Sequence, residues 1–469
     1  MIAREEESRL LREIAGQDRS QFVVVYGRRR VGKTFLVRET FDYRFAFTHT
    51  GLESSGLADQ LAAFRDSLEE QGLDGCPAPH DWIEAFSLLK KLLRQSAAKR
   101  KIVFLDELPW MDTPRSKFVS ALEHFWNGWC AARKDIVLIV CGSATSWMAK
   151  KVLRNKGGLF NRASRTIFLE PFTLGQCEEY ARARGLSMDR REIAEGYMVF
   201  GGSPWYWSLL DPALSLAQNI DRLCFSPKGE LVAEFKRLYA SVFGRPERHL
   251  RIVRALAARK GGLTREELVR ETGLPNTGVL TDVLDELEQS GFIRRYAEIG
   301  KKKKGAMFQL MDSFTFFHLE FMAGKSTSRP GFWLNAVDSP ARFAWEGVSF
   351  ERVCLWHEKQ IRAALGIAGV SAAAGSWRGS GSTGRKAQID LLIDRRDGVV
   401  NVCEMKFSTG EFAIDADYAE NLRNKIAAFK ETVGQGKSVH LTLVTAGGLK
   451  RNSYWGMVQS QVTLDDLFK

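Results

Sequence analysis

Short apolar runs separated by longer stretches of helical spacing mark the first third of the chain. Phe22 to Tyr26, Ile102 to Leu105 and Ile136 to Cys141 are continuous and apolar, as strands covered on both faces must be. With the helical stretches between them they predict an open parallel sheet with crossover helices from Phe22 to about Leu169. From Pro171 to Phe243 the pattern turns helical and aromatic, and Gly201-Gly202-Ser203-Pro204-Trp205-Tyr206-Trp207 reads as a helix boundary followed by a packed aromatic turn. A third pattern runs from Arg248 to about Leu310. It has a helix, Leu263 to Leu268, a Gly-Leu-Pro-Asn turn and a helix Val279 to Gln289 ending at Gly291. Two short strands follow, Phe292 to Tyr296 and Ala306 to Leu310, with Lys301 to Lys304 between them. That order predicts a winged helix-turn-helix. After a Ser/Gly/Pro-rich break at Gly324 to Gly331, a helix 341–365 leads to strands near 387–394 and 399–405, a helix 417–432 and a strand 438–445. No internal repeat is found. The expected organisation is α/β and multidomain: a parallel-sheet core over 1–170, a helical lid over 171–245, a winged helix over 246–323 and a second α/β domain over 331–469.

Composition narrows the partners. A chain of 469 residues is expected to hold two or three cores, and 45% hydrophobic with 26% charged residues excludes disorder as the theme. A net charge of +12 and a pI near 9.3 favour polyanionic partners, nucleic acid first and DNA before RNA. No apolar run reaches the ~18 residues needed to span a bilayer, and Met1 to Leu10 is acidic and polar. No membrane association is expected, and the place of action is the cytoplasm. The seven cysteines (76, 130, 141, 177, 224, 354 and 403) stand singly without C-x-x-C spacing, which reads as reduced core residues with no zinc site.

The sharpest chemical signal follows the first strand. Gly27-Arg28-Arg29-Arg30-Val31-Gly32-Lys33-Thr34 satisfies G-x-x-x-x-G-K-[ST], with a helix starting at Phe35, and so predicts a site for ATP with Mg²⁺. The glycines let backbone N–H groups approach phosphates, and the helix N-terminus adds its dipole. Lys33 reaches the outer phosphates and the Thr34 hydroxyl ligates Mg²⁺. Lys101 to Leu105 is an apolar strand ending in Asp106-Glu107, which makes Asp106 the second metal-binding carboxylate and Glu107 the group that polarises the attacking water. Ser143, after the third strand, is a candidate sensor of the γ-phosphate; a helix cap is the plain alternative.

These residues resemble prokaryotic and archaeal ATPases of the AAA+/STAND type, which join a P-loop domain, a winged helix and a nuclease-like C-terminal domain. The likeness covers most of the chain. It is carried by the P-loop, by Leu105-Asp106-Glu107, by Gly157-Gly158-Leu159-Phe160-Asn161-Arg162 leading to Leu169-Glu170-Pro171-Phe172, and by Gly201-Gly202-Ser203-Pro204. The resemblance implies ATP hydrolysis, assembly into homo-oligomers, and an arginine finger at Arg162 or Arg165 reaching a neighbour's phosphate. Ser203 stands where such proteins usually carry Ile or Val, a departure that concerns lid packing.

A second constellation lies near the C-terminus. Asp390, in Gln388-Ile389-Asp390-Leu391-Leu392-Ile393, is followed after thirteen residues by Glu404-Met405-Lys406. Residues two apart in a strand face one side, so Glu404 and Lys406 point together and a hairpin partner brings Asp390 beside them. Two carboxylates of this kind bind Mg²⁺, and the lysine orients the water that attacks a phosphodiester. The pattern resembles the PD-(D/E)XK nuclease superfamily, whose helix-strand-strand-strand-helix-strand core fits 341–445. In it a first-helix acid, here Glu351 with Glu346 as alternate, joins the site. The plain alternative is a soluble surface hairpin. The expected recognition helix, Asn276 to Glu288, carries Asp282, Asp285, Glu286 and Glu288, which disfavour phosphates, while Arg294, Arg295 and Lys301 to Lys304 make the wing basic. The tail helix, Tyr418 to Lys430, adds further cations for a nucleic-acid backbone or for solvent. The leading expectation is an ATPase whose nucleotide state controls a nuclease-like domain. A STAND-type switch with a silent docking module and a winged-helix DNA-binding regulator are the alternatives.

Overall fold

The structure, a computed structural model, describes residues 2–153, 159, 162–243, 245–299, 306–324, 329–382, 384–433 and 435–469. The chain forms two compact units, Met1–Pro171 and Phe172–Lys469. Among the described residues no helix is long and apolar enough to cross a membrane.

The first unit is built on β1 (Gln21–Tyr26), β2 (Phe47–Thr50), β3 (Lys101–Asp106), β4 (Ile136–Gly142) and β5 (Arg165–Phe168). They form one parallel sheet in the order β2-β3-β4-β1-β5. The apolar runs are continuous because both faces are covered. In β1, Phe22 and Val24 join the core shared with helices Leu57–Glu70, Trp82–Gln95 and Phe118–Phe125, while Val23 and Val25 join the opposite core with helices Glu5–Ala15 and Lys33–Thr40. Large rings fill the first core, with Trp82 and Phe118 edge to face at 4.8 Å. The sequence pattern locates β1, β3 and β4 but not β2 or β5. These are the two edges, where Phe-Thr-His-Thr alternates in burial and β5 buries only Ile167. Because all the strands are parallel, the ends of β1, β3 and β4 open on the same edge of the sheet, the place where open α/β sheets bind ligands.

The second unit opens with helices, among them Arg190–Phe200 and Pro204–Ser208. Gly201 ends the first at φ 59°. Gly202 is required by a close approach: a Cβ there would lie 1.9 Å from the Phe172 carbonyl oxygen. Helices Glu247–Ala257, Arg265–Thr272 and Gly278–Gln289 then accompany β6 (Leu263–Thr264), β7 (Ile293–Tyr296) and β8 (Met307–Leu310), an antiparallel sheet in the order β6-β8-β7. The chain continues through β9 (Ala372–Ser380), β10 (Lys386–Arg395), β11 (Val399–Lys406), β12 (Ser438–Thr445) and β13 (Ser460–Thr463), a sheet in the order β13-β12-β11-β10-β9. β9, β10 and β11 are antiparallel neighbours, and β12 and β13 continue parallel to β11.

The single helix expected over 341–365 is two, Pro340–Trp356 and Glu358–Ala364, broken at His357. No glycine or proline marks the break. Its cause is tertiary: His357 Nε2 accepts the Leu174 N–H at 2.9 Å while Nδ1 pairs with the Val353 carbonyl at 2.7 Å. β9, Ala-Ala-Ala-Gly-Ser-Trp-Arg-Gly-Ser, lacks the alternation that betrays a strand and was not located from sequence.

Candidate functional site

The turn from β1 into helix Lys33–Thr40 is shaped by backbone geometry. Gly27 has φ 154°, Arg30 φ 70° and Gly32 φ 89°. A Cβ on Gly27 would stand 2.4 Å from the Leu169 carbonyl oxygen, so only glycine passes there. Lys33 is 5% exposed, and its ammonium donates to the Gly27 and Arg28 carbonyls at 3.0 Å each. Burial lowers its pKa, against the pull of Glu107, Cys141 and Asp106. The Thr34 hydroxyl donates to Asp106 Oδ2 at 2.6 Å, and the Glu107 N–H donates to Oδ1 at 2.9 Å. Burial raises the Asp106 pKa and the Glu107 charge adds to this; the two hydrogen bonds oppose it.

Glu107 sits in the left-handed region at φ 47°, ψ 49°, a strained conformation for a non-glycine residue that clusters at functional sites. Its carboxylate is fixed from β4, since Ser143 donates from both its N–H, 3.2 Å, and its hydroxyl, 2.8 Å, to Oε2. The structure thus brings Lys33, Thr34, Asp106, Glu107 and Ser143 to one sheet edge. Of the other loop residues, Val31 is buried, Arg29 pairs with Glu53 at 3.8 Å and Phe35 is 57% exposed. Arg162 and Arg165 are exposed. Gly157, Gly158, Phe160 and Asn161 lie outside the described residues, as do Lys301 to Lys304. Oxygen ligands suit Mg²⁺, and the adjoining Thr34 hydroxyl and Asp106 carboxylate fit that ion.

The acids of the second unit also meet. β10 pairs with β11 from Leu391 opposite Cys403, so Asp390 and Glu404 are the next residues out on adjoining strands. The β9–β10 register slips by one between Ile389 and Leu392, leaving Asp390 and Leu391 together across from Ser376. Such bulges re-aim side chains and gather near active sites. Glu351, on helix Pro340–Trp356, has its pKa raised by burial and then by Asp390 and Glu404, against Arg352 and Lys406. The alternate, Glu346, is taken up elsewhere by Arg342 at 2.7 Å.

Cations that the motif does not reveal occupy this pocket. Glu404 Oε1 accepts from Lys425 at 2.6 Å and Oε2 from the Tyr418 hydroxyl at 3.0 Å, while Gln388 donates to Asp390 at 2.5 Å. Lys406 lies over the Tyr418 ring at 4.5 Å. Arg352 is buried and held by the Leu310 and Val348 carbonyls, with burial bringing its pKa down to about 10. Tyr418 and Lys425 stand seven apart on helix Ala416–Thr432, so a common face was legible, but nothing in the sequence said which way it pointed. Among the described residues no group of three His, Cys, Asp or Glu is arranged to hold a metal ion. With both Glu404 oxygens engaged, the residues as arranged do not fit one.

The expected charge pattern of the third segment is corrected. Asp285 and Glu288 pair with Arg295, the latter at 3.2 Å, and Glu286 meets His249 at 3.0 Å. The acids of helix Gly278–Gln289 are therefore largely compensated within the fold, and the same pairs tie up a cation expected to grip phosphates.

Residues 1–210 match a family described as an ATPase domain predominantly from Archaea, so the first part of the chain carries an ATPase-type domain. An uncharacterised protein of Methanocaldococcus jannaschii, MJECL04, is 25% identical over 331 residues, 68% of this chain and 68% of that protein. The Walker-type ATPase of Pyrococcus abyssi is similar over 68% of this chain and 96% of its own, at 18% identity and a TM-score of 0.48. The Aeropyrum pernix ORC2 protein is similar over 68% and 89%, at 14% identity and a TM-score of 0.36.

Proposed function

We propose that this protein binds ATP with Mg²⁺ at the P-loop and hydrolyses it, and that nucleotide state controls a nuclease-type domain at the C-terminal end of the chain. One observation carries the first part: Thr34 and Asp106 adjoin at 2.6 Å while Glu107 is fixed beside them by Ser143 at 2.8 Å. Backbone N–H groups of the loop and Lys33 bind the phosphates. Thr34 and Asp106 hold the Mg²⁺, which neutralises phosphate oxygens when bound. Glu107, kept at a fixed angle, takes a proton from the attacking water as it adds to the γ-phosphorus. Ser143 holds that carboxylate in line and exchanges its hydroxyl between Glu107 and the γ-phosphate. The test is phosphate release by the purified full-length chain. Lys33→Ala is expected to lose binding and turnover, and Glu107→Gln turnover with binding kept. Equal rates in all three proteins refute the assignment.

The nuclease-type reading of the second pocket is supported by the bulge that sets Asp390 beside Glu404, with Glu351 and Lys406 in electrostatic reach. Its substrate class is nucleic acid, DNA favoured. Three helices with a three-stranded antiparallel sheet support a winged helix over 246–323. The compensated acids and committed arginines there favour docking over sequence reading by this segment. Arg162, exposed, is the finger candidate in a homo-oligomer. Turnover slower than one per minute with ATP-dependent assembly, and no cleavage of DNA or RNA in Mg²⁺ or Mn²⁺, moves the reading to a STAND-type switch.

A further inference from the structure

The wall of the acid pocket at Asp390 is not made by the C-terminal sheet alone. β9 is the edge of that sheet, and the segment following β7 is laid along it. The Ile299 N–H donates to the Ser376 carbonyl at 2.9 Å, the Ser376 N–H to the Ala297 carbonyl at 3.4 Å, and Glu298 bridges Ser376. Ser376 is the residue opposite the bulge that carries Asp390, so the added segment lies directly across from it. The approach is close. A Cβ on Gly375 would lie 2.8 Å from the Ala297 carbonyl oxygen, and one on Gly261, before β6, 2.4 Å from both Arg378 and Gln388. Arg378 donates to the Gly261 and Gly262 carbonyls, and the Tyr296 hydroxyl to that of Gly261 at 2.7 Å. Arg294 of β7 lies over the Tyr296 ring at 4.3 Å with its Nε on Gln309 at 2.8 Å, and its charge is felt at Asp390.

Edge strands are templates for a further strand, and here one segment of the same chain fills the template. The joint is lined by polar side chains: Arg294, Arg378, Gln388 and Gln309, with Ile299 only partly buried. Permanent interfaces are markedly more apolar. The other side of the pocket is closed in the same currency, by the Lys425–Glu404 pair.

We propose that segment Tyr296–Ile299 is a cis-acting edge strand that, with Lys425, keeps the acid pocket in a closed resting form. It must leave β9 before a nucleic-acid backbone and a divalent ion reach Asp390 and Glu404. This rests on the nuclease-type reading of the pocket, and it explains why acids in that constellation are arranged for cations of the chain itself rather than for a metal ion.

The test uses the full chain with Glu298→Cys and Ser376→Cys, in oxidised and reduced forms, beside Gly375→Val, which crowds the joint without touching an acid. The native cysteines are buried and do not compete. Affinity is measured for fluorescent single-stranded and duplex oligonucleotides in Ca²⁺, then cleavage in Mg²⁺ and Mn²⁺. Expected are affinity at least tenfold tighter for Gly375→Val than for the unaltered chain, and at least tenfold weaker for the oxidised pair than for the same protein reduced. A disulfide that fails to form, or oxidised and reduced proteins of equal affinity, overturns the closure. If affinity moves as expected while nothing is cut, the closure stands and the nuclease reading falls. If Lys406→Ala abolishes a cleavage that the disulfide leaves unchanged, the nuclease reading stands and the closure falls.

Discussion

Lys33 and Lys425 are both part-hidden ammonium groups beside buried acids, yet they serve their pockets in opposite ways. Lys33 folds onto two loop carbonyls, and the acids near it, Asp106 and Glu107, are held by a hydroxyl and by N–H groups. Nothing there is neutralised by a direct ion pair, so an incoming phosphate and cation meet groups already aimed. Lys425 instead takes an oxygen of Glu404, whose other oxygen is taken by Tyr418. A ligand must first break a buried pair, and what remains is costly to leave unpaired. Preorganisation marks a site ready to act; self-satisfaction marks one that must be opened.

The largest expected effect tests the prepared pocket. Glu107→Gln should lower steady-state hydrolysis by about 10²–10⁴-fold, the usual worth of a positioned general base, with nucleotide affinity little changed; a loss under threefold removes Glu107 from the mechanism. Next comes acid. His49 in the first unit and His318 and His357 in the second each have their pKa lowered to about 4 by burial. The unfolded chain therefore binds more protons between about pH 4 and 6.5. Stability is full above pH 6.5 and falls as pH drops through that window, by on the order of 3 kcal/mol per histidine at most. Hydrogen exchange at pH 7 and pH 5 should show the second unit, with two such groups, loosening before the first. His357→Gln should flatten its pH dependence, and equal loosening of the two units contradicts this. A smaller effect sharpens the contrast of the acids: Lys425→Met should tighten Mn²⁺ binding by about tenfold, or ~1.4 kcal/mol, by calorimetry, and Glu404→Gln should erase the gain. Smallest, Ser143→Ala should cost a few-fold in turnover, about 1 kcal/mol for one hydrogen bond, because its N–H still holds Glu107.

The P-loop was legible because its chemistry is local. Spacing places Gly27, Gly32, Lys33 and Thr34 in one turn, and the apolar run before Asp106 sets that acid at a strand end. Ser143 was legible as a neighbour of the site, though its bond to Glu107 was not. In the second unit the alternation that pairs Glu404 with Lys406 was readable. The bulge at Asp390 was not, because it depends on register with β9, a strand of alanines and glycines without a hydrophobic signature. Tyr418 and Lys425 looked like a solvated or nucleic-acid-facing helix, and only packing turned them toward Glu404. The acids of helix Gly278–Gln289 looked repulsive to phosphate because their partners, Arg295 and His249, lie outside that helix.

By itself the sequence determined the parallel sheet of the first unit, the loop that cradles phosphate and the pairing of acids with strand ends, since each follows from periodicity or from residues within a few positions of one another. Tertiary structure alone decided which cation faces which acid, where helix 341–365 breaks, and that a segment after β7 is laid along β9. Those outcomes depend on contacts between residues far apart in the chain, where side chains compete for partners under burial, and no local pattern records who wins.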